Sequence, residues 1–149
     1  MFAELTLNPT LRRQTGDMAA VRAFHAALFA GTWGHWLGKL TGRSQALRSL
    51  PARNGEGHYL GARVVALSDI VGTENRAEDF DRNFRPLNAN TQERWMSVYR
   101  ARARGLALPP VALVKRGTEY YVRDGHHRLS VARALGQVEV EAVVIEVKA

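Results

Sequence analysis

Five consecutive residues, Asp124-Gly125-His126-His127-Arg128, join a β-branched and aromatic run at 119–123 to a stretch with helical spacing at 126–135. The chemistry suited to such a junction is anion binding. The first N–H groups of a helix have no partner within it and sit at the positive end of its dipole, so they attract phosphate. Gly125 lets a ligand approach the backbone, and Arg128 can add a charge-assisted contact. Asp124 suits the N-cap of the helix, and a catalytic or metal role is the alternative for it. His126 and His127 are neighbours, so on a helix they diverge by about a third of a turn or a little less. One can then face a ligand as donor or acid while the other packs inside, and the two do not share a metal. His25, His35 and His58 supply no evident further ligands, so no metal site is expected.

Positioning that junction requires a small domain. The chain has 149 residues, of which 46% are hydrophobic, enough for one compact core and an appendage. With no cysteine, disulfides, thiolate catalysis and cysteine-based zinc sites are excluded, which fits a cytoplasmic protein. The N-terminus shows no secretory leader pattern. The longest uncharged stretch, 23–38, is interrupted by glycines and histidines and is too short and polar for a membrane span. The net charge of +7 rests almost wholly on arginine, which favours bidentate contacts to phosphate or carboxylate.

Residues 1–57 read as a helical extension and linker. From Asp17, a candidate N-cap, Val21, Phe24 and Leu28 recur at helical spacing. That helix is expected to end near Gly31, and a second resumes through Trp36, Leu37 and Leu40. Phe29, Trp33 and Trp36 are expected to pack on the main domain, a membrane surface or partner groove being the alternative. A short turn at 45–50 precedes Pro51, and 52–57 reads as a linker. In the second unit, 58–149, the pattern predicts a strand at 62–67, an irregular charged stretch at 68–87, and a helix capped by Asn90 and closed by Gly105. Strands at 111–115 and 119–123 flank a hairpin turn, the helix at 126–135 presents Leu129, Ala132 and Leu135 on one face, and a last strand spans 141–147.

The run LPPVALVKRGTEYYVRDGHHRLSVARALG, with VVALSDIVGTENR upstream, resembles the ParB/sulfiredoxin superfamily over about residues 58–149. The resemblance implies an α+β fold, a small mixed sheet with packed helices, here preceded by the helical extension. It also implies that Asp124, Gly125, His126, His127 and Arg128 bind a nucleotide triphosphate or diphosphate such as ATP, ADP or CTP, with Mg²⁺. Sulfiredoxins carry Gly-Cys-His-Arg at this turn; His126 stands at the cysteine position, so their thiolate chemistry is not implied. Partition proteins carry Gly-Glu-Arg-Arg, and Ser130 stands where they commonly have another arginine; no helix-turn-helix segment follows. The free-serine-kinase branch has a similar Asp-Gly-His-His-Arg turn, and its catalytic glutamate falls at Glu74. A carboxylate there could deprotonate an acceptor hydroxyl during phosphoryl transfer.

Two functions follow as expectations. One is a nucleotide-binding phosphotransferase or hydrolase, with Glu74 and His126 or His127 moving protons and Arg85 or Arg76 adding phosphate contacts. The other is a DNA-binding or nuclease-type module in which the turn grips backbone phosphate, with Arg94, Arg100, Arg102 and Arg104 as a further basic cluster. Either reading admits a homodimer.

Overall fold

The computed structural model describes residues 9–51 and 57–148. In chain order these form α1 (Pro9–Thr41), β1 (Arg48–Ser49), β2 (His58–Ala66), β3 (Ile70–Thr73), α2 (Gln92–Ala103), β4 (Val111–Arg116), β5 (Glu119–Asp124), α3 (His126–Ala134) and β6 (Glu139–Val147), with 3-10 turns at Leu67–Asp69 and Ala89–Thr91. The strands make one mixed sheet in the order β1-β3-β5-β4-β6-β2. The β4–β5 hairpin is tight because Arg116 pairs with Glu119, leaving Gly117 and Thr118 as the loop. Gly117 takes the positive φ (63°) that such a loop needs. β6 lies parallel to β4 and antiparallel to β2, so the last strand divides the hairpin from the edge. The architecture is α+β.

Strand alternation decides which side of the sheet each residue serves. Val65, Leu113, Val122 and Val144 face Leu129 and Ala132 of α3, with Phe80 and Phe84 from the loop after β3 completing that core. Val114, Tyr121 and Leu50 make a smaller cluster on the opposite face. Behind α3, the buried side chains of Ala20, Phe24, Trp95, Met96 and Val131 lock α1, α2 and α3 together. The edge of Phe24 meets the Trp95 ring, and Trp95 Nε1–H donates to Ser130 Oγ at 2.8 Å. Full burial of such aromatics contributes on the order of 3 kcal/mol each relative to exposure.

Several sequence expectations are corrected here. The N-terminal segment is one helix of 33 residues instead of two. Gly31 does not stop it; a Cβ there would stand 2.5 Å from the Pro86 carbonyl oxygen, so this glycine permits close approach of another segment. Asp17 lies inside the helix and pairs with Arg100 at 2.7 Å instead of capping. Residues 45–50 form no helical turn: Ala46 bridges to Asp81, and β1 runs parallel to β3. The stretch expected to be irregular contains β3, whose four residues are too few to show alternation and which forms against β5. The strand expected at 62–67 begins at His58, and Leu67 belongs to a 3-10 turn.

Asn90 does not cap α2; Thr91 holds that position without a side-chain cap, its hydroxyl donating to the Asn88 carbonyl instead. Leu135, expected inside, is exposed at the end of α3. Phe29, Trp33 and Trp36 stay exposed rather than packing on the domain, because α1 turns its smaller residues inward. Residues 52–56 of the expected linker lie outside the described residues.

Asp81, part of a charged run that reads as solvated, is 1% exposed. Its Oδ1 accepts the N–H groups of Asn83 (2.9 Å) and Arg85 (2.8 Å), and its carbonyl accepts that of Phe84 (2.8 Å). These bonds hold Phe84 at φ 56°, a conformation that costs a non-glycine residue about 1–2 kcal/mol. Burial pushes the Asp81 carboxyl pKa up, partly offset by the bonds and charge of Arg85.

Candidate anion-binding site

β5 runs directly into α3 through Gly125, whose φ of 105° and ψ of 26° are left-handed. A Cβ on Gly125 would lie 2.6 Å from Val111 Cγ1 on the neighbouring strand, so both conformation and space demand glycine. Gly125 holds the N-cap position and has no side chain to cap with. The first α3 bond runs from Leu129 N–H to the Gly125 carbonyl at 3.0 Å, which leaves the amides of residues 126–128 uncapped by any side chain. Asp124 is not the cap that the sequence suggests. It is the last residue of β5, and its carboxylate accepts from Arg128 at 2.9 Å.

Arg128 is largely committed to structure. One terminal nitrogen donates to the carbonyls of Pro109 (2.6 Å) and Pro110 (3.0 Å), tying the segment before β4 to the start of α3. That segment, α2 and the turn enclose a cleft of about 630 Å³. Arg76, Arg94 and Arg128 line it with the carboxylate of Asp124, and Arg123 adjoins it while its guanidinium is held by Glu74. Among the described residues Arg94 makes no ion pair, and Arg76 reaches Asp79 only at 3.8 Å. Val98, Leu108, Pro109 and Pro110 give the cleft an apolar wall.

The two histidines divide as their helical positions require. His126 is buried, stacks on Phe80 and has Nε2 2.6 Å from Thr73 Oγ1. That hydroxyl already accepts the N–H groups of Asn75 and Arg76, both at 3.2 Å, and the Val122 carbonyl is 3.4 Å away. Either group can donate in the short Oγ1–Nε2 contact, according to which ring nitrogen of His126 carries the proton. His127 meets Phe80 edge-on, and both its ring nitrogens are shielded and without a partner. Burial, reinforced by the charge of Arg76, lowers both imidazole pKa values to about 4, so both are neutral at pH 7.

Other expected site residues are not gathered here. Glu74 follows Thr73 in the chain, so it points to the opposite face, where its carboxylate clasps Arg123 at 2.7 and 3.1 Å. Burial leaves the Glu74 side chain 10% exposed, beside Leu50 and Val114 instead of the histidines. Arg85 is also elsewhere: it pairs with Asp81 at 3.6 Å, donates to the Ala30 carbonyl and lines a separate cavity beside α1. Arg100 pairs with Asp17, and of the basic cluster around α2 only Arg94 lines the cleft. Sequence reasoning left Arg94 unplaced and did not single out Thr73 or Arg123. The signal for Arg94 was its spacing, since Arg94, Ser97 and Val98 share the helical face that meets the cleft.

Comparison with known proteins finds no matching family model and no matching curated protein. Among solved structures, a sulfiredoxin from Arabidopsis thaliana aligns with 58% of this chain and 86% of its own, at 15% identity and a TM-score of 0.45. A conserved hypothetical protein from Pyrococcus furiosus aligns at 19% identity and a TM-score of 0.42, over 65% of this chain and 35% of its own length. At this level of similarity no chemistry transfers, and the site rests on its own geometry.

Proposed function

We propose that the cleft binds a nucleotide through its phosphates, at the amides that begin α3. The observation that carries this reading is the uncapped helix start opening on a cleft where Arg94 and Arg76 are not committed to a close carboxylate. The amides and helix dipole favour an anion at that point, and Arg94 and Arg76 can close on it. A base then lies against Val98, Leu108 and the two prolines. The cleft volume is within the range of small-molecule sites.

No group of three or more histidine or acidic residues that could hold one occurs among the described residues. In this reading Mg²⁺ enters as the counter-ion of the nucleotide. Binding is what the geometry supports best. Turnover by phosphoryl transfer or hydrolysis needs a base, which Glu74 becomes only by leaving Arg123, while imidazoles with pKa near 4 are weak bases at pH 7.

Calorimetric titration with ATP, ADP, CTP, GTP and inorganic phosphate, with and without Mg²⁺, tests the proposal on wild type, Arg94→Ala and Arg76→Ala. Nucleotides should bind more tightly than phosphate, and each variant should weaken binding about tenfold, the loss of one charge-assisted contact. Arg128→Ala is a poorer probe, since it also unties Pro109 and Pro110. Absence of saturable nucleotide binding, with duplex DNA binding that falls steeply with salt, would overturn the reading in favour of a nucleic-acid site.

A further inference from the structure

Helix α1 carries two apolar seams with the same spacing. Ala20, Phe24, Ala27, Gly31, Gly34 and Gly38 recur at intervals of four and three, and all are buried or half-buried against the domain. Phe29, Trp33, Trp36 and Leu40 recur at the same intervals, and all are exposed. The second seam is offset from the first by two residues, which rotates it by about 200° to the far side of the helix. Apolar residues alternating at three and four are the pattern by which one helix packs along another.

Phe29 stacks on Trp33, and Trp33 meets Trp36 at 5.2 Å between ring centroids. More than half the surface of each remains in water. With Leu37 and Leu40 the seam offers about 600 Å², at the upper end of the largest patch that a typical monomer exposes.

We infer that this seam joins two copies of the chain, α1 against α1 and antiparallel. A symmetric pair would bury about 1,200 Å², the lower limit of a stable interface. The charge pattern selects the direction. No charged residue occurs between positions 23 and 38, whereas Lys39 and Arg43 follow at once. In a parallel pair each of these cations meets its own counterpart. In the antiparallel pair Trp33 of one copy lies opposite Trp36 of the other, Phe29 lies opposite Leu40, and Lys39 and Arg43 lie along the uncharged stretch. Like charges are thereby kept apart.

Sedimentation velocity on the full chain should give the mass of a dimer, and Trp33→Glu should convert it to a monomer with the same far-ultraviolet circular dichroism. Because the chain has no cysteine, introduced thiols report the arrangement independently of that variant. A mixture of Phe29→Cys and Leu40→Cys proteins should oxidise to mixed dimers, whereas Leu40→Cys alone should not cross-link. Cross-linking of Leu40→Cys alone would refute the antiparallel pair. A chain that stays monomeric at every concentration, or sediments with phosphatidylcholine–phosphatidylglycerol vesicles instead, would refute self-association and give the seam to a membrane surface.

Discussion

Acid should destabilise this protein before its carboxylates titrate, and the cause lies in two residues. Burial lowers the His126 and His127 pKa values from the ordinary 6.5 to about 4. The unfolded chain therefore takes up protons below pH 6.5 that the folded chain refuses, so stability is complete above 6.5 and falls as the pH drops towards 4. At pH 5 an unfolded imidazole is almost fully protonated and one held near 4 is almost neutral, a difference of about 2 kcal/mol for one fully buried ring. Both rings contribute, His126 being 5% exposed and His127 having both ring nitrogens shielded. Asp81 acts with the opposite sign, since a raised carboxyl pKa favours the folded state as the pH falls, so comparison with a variant isolates the histidines. Urea denaturation at pH 7 and pH 5 is the assay. Wild type should lose more stability between the two than His127→Phe, which keeps an aromatic ring against Phe80. An equal loss in wild type and His127→Phe, or histidine resonances that titrate near pH 6.5 in the folded protein, would refute the burial argument.

Gly125→Ala should lower stability by about 2 kcal/mol or more, because alanine must adopt φ 105° and displace Val111; the same variant should lose phosphate and nucleotide binding in titration. Ser130→Ala should cost about 1–3 kcal/mol in thermal or chemical denaturation, since it strands the indole N–H of Trp95, a residue with no exposed surface.

How much of this was legible in the sequence varied with the locality of the cause. The β4–β5 hairpin, the glycine turn and α3 were readable because each is set by neighbours in the chain, and Gly117, Gly125 and Gly136 punctuate them. β1 and β3 were not, because two- and four-residue strands exist only through pairing with distant partners. Gly31 reads as a helix stop until Pro86 is seen against it. Within the candidate site, the strand–glycine–helix junction followed from residue type and spacing. Glu74, by contrast, was singled out by the family resemblance, and its one-residue distance from Thr73 puts it on the other face of the sheet, against Arg123. Arg85 was displaced by a buried partner, Asp81, that looks like one of several surface charges when only the sequence is read.

The sheet order has a consequence for synthesis. β2 hydrogen-bonds only with β6, although more than half of the described chain lies between them in sequence. During translation, then, β2 leaves the ribosome with its backbone groups unmatched, and they stay so until the final strand emerges. Until that moment Tyr59 to Val65 can pair with any other nascent edge nearby. The ribosome-bound chain should consequently be most prone to aggregate just before β6 is released, and chains interrupted short of Glu139 should be recognised by chaperones or proteases rather than persist.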